Sequence, residues 1–290
     1  KAEKYFMSAA QLQPSNLSAM REIAHVAYQQ KKYNMVIEWT RKALNAQERT
    51  LERELLANAL YQEAQYTQAI QTYQKLLSNS QDTQKSYSFR MKLGYAYFHT
   101  GDVTQAKHEF SEAVKLAQND FQKYDAHITL GYLEKSDKNW NNANTHYQAA
   151  LNLDPSSIVS MWAIADIARE QKEYDVAISW FNKVVNQGSN PKVKKRLAYV
   201  HQTFGLLLYQ QQKWALALEQ FQAALEIQKS SRSFLYMAFI YKQLGQNAET
   251  EKYIHKALSN PKQLTDVELG SLYNELGQFY INVGQYDDAL

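Results

Sequence analysis

The chain has 290 residues, with 32 basic and 29 acidic side chains and no cysteine. A formal net charge of +3 is too small for a dedicated nucleic-acid surface, which needs a dense basic face. The absence of cysteine excludes a disulfide framework, a thiolate zinc site and a cysteine nucleophile. The longest apolar run, Phe204 to Tyr209, is far shorter than the ~20 residues of a membrane span.

Proline and glycine are scarce, with four and nine residues respectively, and apolar residues recur at helical spacing. Residues 1–16 predict the second helix of a truncated unit. Similar units follow at steps of 33 to 40 residues, and the longer steps predict an extra helical turn or a longer connection. These units begin at Leu17, Thr50, Tyr87, Tyr124, Ile158, Ala198, Ser231 and Gly270.

Each unit carries a small residue at its eighth position, which predicts the close approach of two helices. The eighth residues are Ala24, Ala57, Gly94, Gly131, Ala165, Gly205, Ala238 and Gly277. We expect each to face the small residue at position twenty, as in Gly94 with Ala106, Gly131 with Ala143 and Gly205 with Ala217. The aromatic residue at position twenty-four is expected to fill the gap to the following unit.

Glycines at Gly101, Gly245 and Gly284 are typical of helix C-termini. An aromatic residue is expected just before most second helices. These residues are Tyr33, Tyr66, Trp140, Tyr174, Trp214 and Tyr286.

This pattern resembles the tetratricopeptide repeat family along essentially the whole chain. The resemblance implies an all-α, right-handed solenoid of stacked antiparallel helix hairpins. It would form a single array over residues 1–290, with full repeats starting at residues 17, 50, 87, 124, 158, 198 and 231 and a truncated repeat at 270–290. Position four departs from the family pattern in four units, which carry Arg53, Arg90, His127 and His201.

No catalytic motif, cofactor motif or metal site is predicted. The seven histidines include no pair spaced three or four residues apart, so no single helix presents a metal-binding pair. There is no nucleophile elbow, Walker loop or dinucleotide-binding turn. Asp287 and Asp288 are expected at a helix start. We therefore predict no enzyme activity and no cofactor in this segment.

The resemblance implies that the first helices line a concave groove that binds a protein or peptide partner. Residues at positions two, five, nine and twelve would point into it, and aromatic rings with polar groups between them suit a peptide. The predicted groove residues are Tyr28, Asn58, Tyr61, Tyr95, Phe98, Asp125, Tyr132, Trp162, Asp166, Arg169, Gln202, Tyr209, Phe239, Lys242, Asn274 and Gln278. For the position-twelve tyrosines, packing within the repeat is an equal alternative.

Two charged patterns limit the partner. A subclass of the family clamps a chaperone's C-terminal carboxylate with Lys at position five and Asn at position nine. Asn58 occupies position nine, but Glu54 stands at position five, so we predict no binding of that kind. Lys192, Lys194, Lys195 and Arg196 form a basic run that is expected to open a helix. A solvated helix face is the favoured interpretation, and a local acidic partner is the alternative.

The sequence is compatible with a location in the bacterial periplasm or in the cytoplasm. We expect a segment of a longer protein, because the chain starts without Met and ends inside a repeat. One alternative is a scaffold segment of a bacterial envelope protein, of the outer-membrane export or phage-receptor type. Another is the targeting arm of an enzyme whose catalytic domain lies outside these residues.

Overall fold

The computed structural model describes residues 2–188 and 190–282. Over these ranges the chain is helical, with 16 α-helices, one 3₁₀ helix and no strand. The helices group into two compact units, Lys1–Pro155 (unit 1) and Ser156–Leu290 (unit 2). Within each unit, helices adjacent in sequence pack against each other, so hairpin stacks on hairpin. The predicted all-α fold of stacked hairpins is confirmed, while one continuous array over residues 1–290 stays a prediction.

The helices alternate between two roles. The first helices of the hairpins are α2 (Leu17–Gln29), α4 (Thr50–Gln62), α6 (Thr83–Thr100), α8 (Asp120–Ser136), α10 (Ile158–Glu170), α12 (Pro191–Gln210), α14 (Ser231–Gln243) and α16 (Asp266–Asn282). The second helices are α1 (Ala2–Leu12), α3 (Tyr33–Ala46), α5 (Tyr66–Ser78), α7 (Val103–Leu116), α9 (Trp140–Leu153), α11 (Tyr174–Gln187), α13 (Trp214–Ile227) and α15 (Asn247–Leu258). A 3₁₀ helix, Pro261–Gln263, precedes α16.

Helix length accounts for the uneven repeat steps. Helices α2, α4, α10 and α14 have 13 residues and begin at the predicted unit starts. Helices α6, α8, α12 and α16 have 17 to 20 residues and begin four to seven residues before the predicted starts at 87, 124, 198 and 270. The longer steps are therefore due to additional N-terminal turns of the first helices.

The turn inside each of the seven described hairpins has the same backbone geometry. One residue adopts a left-handed conformation, with φ between 56° and 86°. In the first turn, Lys31 N–H donates to the Tyr28 carbonyl and Lys32 N–H to the Ala27 carbonyl, which is the Schellman pattern. Glycine supplies this residue only at Gly101 and Gly245, as predicted. The other five are Lys31, Ala64, Lys138, Lys172 and Gln212.

The aromatic residue predicted just before most second helices is instead the first residue of the helix in the five described cases. Tyr33, Tyr66 and Trp140 begin α3, α5 and α9, and Tyr174 and Trp214 begin α11 and α13. Each follows the left-handed residue by two positions, so the ring lies directly against the turn. Tyr286, Asp287, Asp288 and Gly284 lie outside the described residues.

The close approach at position eight is present, and its nearest contact is a residue that the sequence did not assign to it. A Cβ built on Gly94 would lie 2.8 Å from two ring atoms of Phe110. A Cβ built on Gly131 would lie 3.0 Å from ring atoms of Tyr147. The nearest atoms therefore belong to the aromatic residue at position twenty-four rather than to the alanine at position twenty.

Gly205 repeats this arrangement, with Phe221 atoms 3.0 Å from the added Cβ. The ring at position twenty-four also reaches the next hairpin, as the sequence predicted. Phe221 stacks on Tyr236 of α14 at a centroid distance of 5.7 Å. One buried ring thus joins its own hairpin to the following one.

Candidate functional site

Side-chain contacts link successive first helices and so define one face in each unit. In unit 1, Lys92 Nζ of α6 donates to Asn58 Oδ1 of α4 at 2.8 Å. Tyr95 of α6 shares a hydrogen bond of 3.1 Å with Thr129 Oγ1 of α8. These contacts place the predicted groove residues Asn58 and Tyr95 on a common surface, which we call the first-helix face.

The equivalent face of unit 2 is joined by the same kind of contact. Arg196 of α12 reaches Asp166 of α10, and Gln202 Nε2 of α12 donates to Ser233 Oγ of α14 at 3.1 Å. Arg232 of α14 forms an ion pair of 2.8 Å with Glu268 of α16. Two predicted groove residues, Asp166 and Gln202, therefore lie at contacts between neighbouring first helices.

The predicted aromatic residues Phe98 and Tyr132 meet on unit 1. Their rings are arranged edge to face with centroids 6.4 Å apart, and 56% of the Tyr132 surface is exposed. Tyr95 lies beside them and packs edge to face against buried Phe110 at 4.9 Å. Phe98 is half-buried, so it supports the exposed Tyr132 ring, which is suited to contact an apolar group of a partner.

A carboxylate lies close to Tyr87 and Tyr95. Asp125 is half-buried on α8, and burial raises the pKa of its carboxyl group. Its charge contributes to the raised pKa values of Tyr87 and Tyr95, for which burial is the larger cause. Unit 1 therefore combines apolar contact surface with a negative charge that is poorly solvated.

The position-twelve tyrosines pack against their own turns. Tyr28 contacts Tyr33, Tyr61 contacts Tyr66 and Tyr209 contacts Trp214, with ring centroids 5.9, 5.5 and 5.4 Å apart. Burial raises the pKa of each of these three tyrosines. Packing, the alternative that the sequence left open, accounts for these positions, and their contact with a partner stays a prediction.

Asn58 is already engaged by two donors. Its Oδ1 accepts from Tyr73 Oη and from Lys92 Nζ, both at 2.8 Å. Burial lowers the pKa of the Lys92 ammonium group. Tyr28 and Asn58 both line a cavity of about 450 Å³ between α2, α3 and α4. Arg21 Nε lies 2.5 Å from Glu52 Oε1 in the wall of this cavity.

In unit 2, Asp166 is the centre of an ion-pair network. It is 8% exposed, and its Oδ1 lies 3.3 Å from Arg169 Nε and 3.0 Å from Arg196 Nε. Trp162, one turn earlier, packs edge to face on buried Phe181 at 5.8 Å. Arg169 also pairs with Glu170, so the two arginines of this network are both matched by carboxylates.

The remaining predicted residues of unit 2 lie further along the face. Phe239 is half-buried and contacts Tyr236 with ring centroids 6.3 Å apart. Lys242 is exposed and pairs with Glu275 of α16. Asn274 and Gln278 are both exposed on α16.

Sequence analysis missed part of the unit 2 face. Lys195 and Tyr199 of α12 line two neighbouring cavities, of about 350 and 290 Å³. Lys195 precedes the predicted unit start at Ala198 and was therefore outside the pattern that selects groove positions. The basic run itself was the available signal, because it does open α12 as predicted.

The structure also brings together two histidines that the sequence separates. His127 Nδ1 of α8 lies 3.1 Å from His146 Nδ1 of α9. His201 Nδ1 makes the corresponding contact with Gln220 Oε1 at 2.8 Å, and Arg90 with Glu109 at 2.7 Å. Three of the four unusual residues at position four therefore pair with a polar residue nineteen positions later.

The histidine pair predicts a pH-dependent stability. Burial lowers the pKa of both rings, and His127 and Lys107 lower that of His146 further against the opposing effect of Glu134. Because the unfolded chain binds protons more readily, this stability is complete above the unfolded pKa of ~6.5. It declines as the pH falls below that value, and the decline ends below the folded pKa values. We expect the urea concentration at the unfolding midpoint to be lower at pH 5.5 than at pH 7.5.

His146→Gln is the matched variant, since it reproduces the arrangement of His201 with Gln220. A glutamine oxygen accepts from His127 whether or not that ring is protonated, so the decline between pH 7.5 and pH 5.5 should shrink. An equal decline in both proteins would assign the pH dependence to other groups.

Within residues 2–188 and 190–282, no cluster of three or more His, Asp or Glu residues could hold a metal ion. No helix in the same ranges is long and apolar enough to cross a membrane.

The fold and its first-helix faces define a helical-hairpin repeat protein. A family model described as "Tetratricopeptide repeat" matches residues 54–121 and 129–192. These matched residues are tetratricopeptide repeats, and the chain as a whole resembles that family. Its repeats make it a scaffold for protein–protein interaction.

Solved structures show the same fold. A tetratricopeptide repeat protein from Cytophaga hutchinsonii is 17% identical, with a TM-score of 0.61 over 87% of this chain and 98% of that one. One from Parabacteroides merdae is 13% identical, with a TM-score of 0.55 over 88% and 96%. YrrB, described as having an unusual peptide-binding site, is 14% identical, with a TM-score of 0.53 over 66% and 96%.

Proposed function

We propose that this chain binds a peptide segment of a protein partner on the first-helix faces of its units, without chemistry of its own. The observation that carries the proposal is the exposed ring of Tyr132, supported edge to face by half-buried Phe98. Trp162 supplies a second ring in unit 2. Aromatic anchors on a preorganised surface are common hot spots in interfaces. The similarity to YrrB, whose described site binds peptides, is consistent with this use of the fold.

The test is a selection of random 12-residue displayed peptides on the 290-residue chain. Selected peptides are synthesised and their affinities are measured by fluorescence anisotropy. We expect Tyr132→Ala or Trp162→Ala to weaken at least one class of peptides about tenfold, the effect of losing one good aromatic anchor.

Tyr5→Ala is the matched control, because Tyr5 is 72% exposed but lies on α1, a second helix. The Tyr5→Ala variant should bind the selected peptides with the same affinities as the wild type. Circular dichroism establishes that each variant keeps its helices. Unchanged affinities in both groove variants, with helicity intact, would remove the first-helix face as the binding surface.

The alternatives raised by the sequence concern what lies outside these residues. A bacterial envelope protein and an enzyme with a targeting arm would both use this segment as a binding scaffold. The complete open reading frame distinguishes them.

A further inference from the structure

Two cavities of unit 2 are neighbours and share two lining residues. The cavity of about 350 Å³ is lined by Trp162, Lys192, Lys195, Arg196 and Tyr199. The cavity of about 290 Å³ shares Lys195 and Tyr199 and extends to the loop between α13 and α14. Half of the Tyr199 surface is exposed, so this shared residue is accessible to a ligand.

The charge of this surface has one sign. Five of the residues lining the two cavities are basic and none is acidic. The basic residues are Lys192, Lys195, Arg196, Lys229 and Arg232. Nearby carboxylates pair with the two arginines: Asp166 with Arg196, and Glu268 with Arg232.

The three lysines keep their charge uncompensated. Lys192, Lys195 and Lys229 have no ion-pair partner within the described part of the chain, and all three are exposed. Helix stability does not explain the basic residues near the start of α12. Positive side chains there oppose the helix dipole.

From this charge pattern we infer that the α12 surface of unit 2, formed by these two cavities, selects acidic peptide segments. The inference rests on the proposed function and specifies its ligand. Side-chain carboxylates of an extended segment lie beside Lys195, beside Lys192 in one cavity and beside Lys229 in the other. The Trp162 and Tyr199 rings contact the apolar parts of the same segment. Successive side chains of an extended peptide point to opposite sides, so acidic residues at alternate positions face the surface together.

The chemistry favours a peptide over nucleic acid. Three unpaired lysines are fewer than the 6–10 phosphate contacts of a typical strongly salt-dependent nucleic-acid site. Asp166 and Glu268 lie among the basic residues and would repel a continuous phosphate backbone. Discrete carboxylates can avoid these two acidic positions.

The experiment uses the peptides selected on the intact 290-residue chain, synthesised with amidated C-termini so that only side chains carry negative charge. Each peptide is also made with its Asp and Glu residues replaced by Asn and Gln. Affinities are measured by anisotropy in 50 and 300 mM NaCl, for the wild type, Lys195→Glu and Lys194→Glu. Lys194 is the matched control, because it is exposed on the same helix but lines neither cavity.

We expect the acidic peptides to bind the wild type at least tenfold more tightly than their amide versions, and more weakly at high salt. Lys195→Glu should weaken them at least tenfold, and Lys194→Glu less than threefold. Equal losses in both lysine variants would overturn the inference, because they would indicate a nonspecific charge effect. Stronger, Lys195-dependent binding of a labelled 20-nucleotide single-stranded DNA would also overturn it.

Different results would overturn peptide binding and the preference for acidic peptides. Selected peptides that are neutral, depend on Tyr132 or Trp162 and ignore Lys195→Glu would overturn the acidic preference and leave peptide binding standing. A selection that yields no peptide would overturn both.

Discussion

Gly94→Ala is expected to lower the free energy of unfolding by ~1–3 kcal/mol, the usual cost of overpacking a filled core. The added methyl group would lie 2.8 Å from two atoms of the Phe110 ring, and Phe110 is fully buried. That ring is held against Tyr95, so it cannot move aside without disturbing the first-helix face. Urea unfolding followed by circular dichroism measures the change.

Two further variants show whether the contact is the cause. Gly270→Ala is a control with the opposite expected sign, because no atom lies within 4 Å of its added Cβ and alanine is favoured in a helix by up to ~1 kcal/mol. Phe110→Leu leaves space for the new methyl group. The double variant Gly94→Ala/Phe110→Leu should therefore be more stable than the sum of the two single changes predicts. Strict additivity would show that the ring does not limit position eight.

The hairpin fold was predictable because its constraint is one of size, and size can be read from the sequence. A small residue recurs at position eight, and the structure shows why it must be small in the glycine units. The partner could not be read in the same way. Which side chain meets Gly94 depends on the rotation of α7 about its axis, and both Ala106 and Phe110 lie on its buried side.

Repeat boundaries and groove residues were both predicted incompletely, for the same reason. The pattern locates a helix by its packing contacts, and the additional N-terminal turn of α12 lies before the first of these contacts. Lys195 was therefore noted only as part of a charge run. Tyr199 is at position two of its unit, a groove position, but was not among the residues selected. Conversely, Tyr28 and Tyr61 were selected because their spacing fits the groove, although their rings pack against the turns. Exposure depends on what the neighbouring hairpin covers.

The sequence contains a pairing signal at position four that comparison with the family pattern did not use. Arg90, His127 and His201 are each followed, nineteen residues later, by Glu109, His146 and Gln220. Each of these three pairs is in contact in the structure. Arg53 has Thr72 at that distance and pairs with Glu48 instead. A polar residue at position four therefore predicts a polar partner when a suitable one stands nineteen residues later.

The Arg90–Glu109 pair carries the second large effect. The two side chains are 26% and 11% exposed, and Arg90 Nη1 lies 2.7 Å from Glu109 Oε2. Glu109→Ala should lower the free energy of unfolding by ~2–3 kcal/mol, because it leaves a largely buried guanidinium group without its carboxylate. The value lies below the 3–5 kcal/mol of fully buried pairs, since water reaches a quarter of the Arg90 side chain.

Three comparisons separate the pair from its surroundings. Glu109→Gln keeps an acceptor for Arg90 and should cost less than the alanine change. Arg90→Leu/Glu109→Leu removes both charges, so it should recover most of the loss. Glu38→Ala breaks the exposed pair of Lys42 and Glu38 and should change stability by at most ~0.5 kcal/mol. If Glu109→Ala were no more harmful than Glu38→Ala, position four would be an ordinary surface position, and the nineteen-residue pairing would have no part in joining α6 to α7.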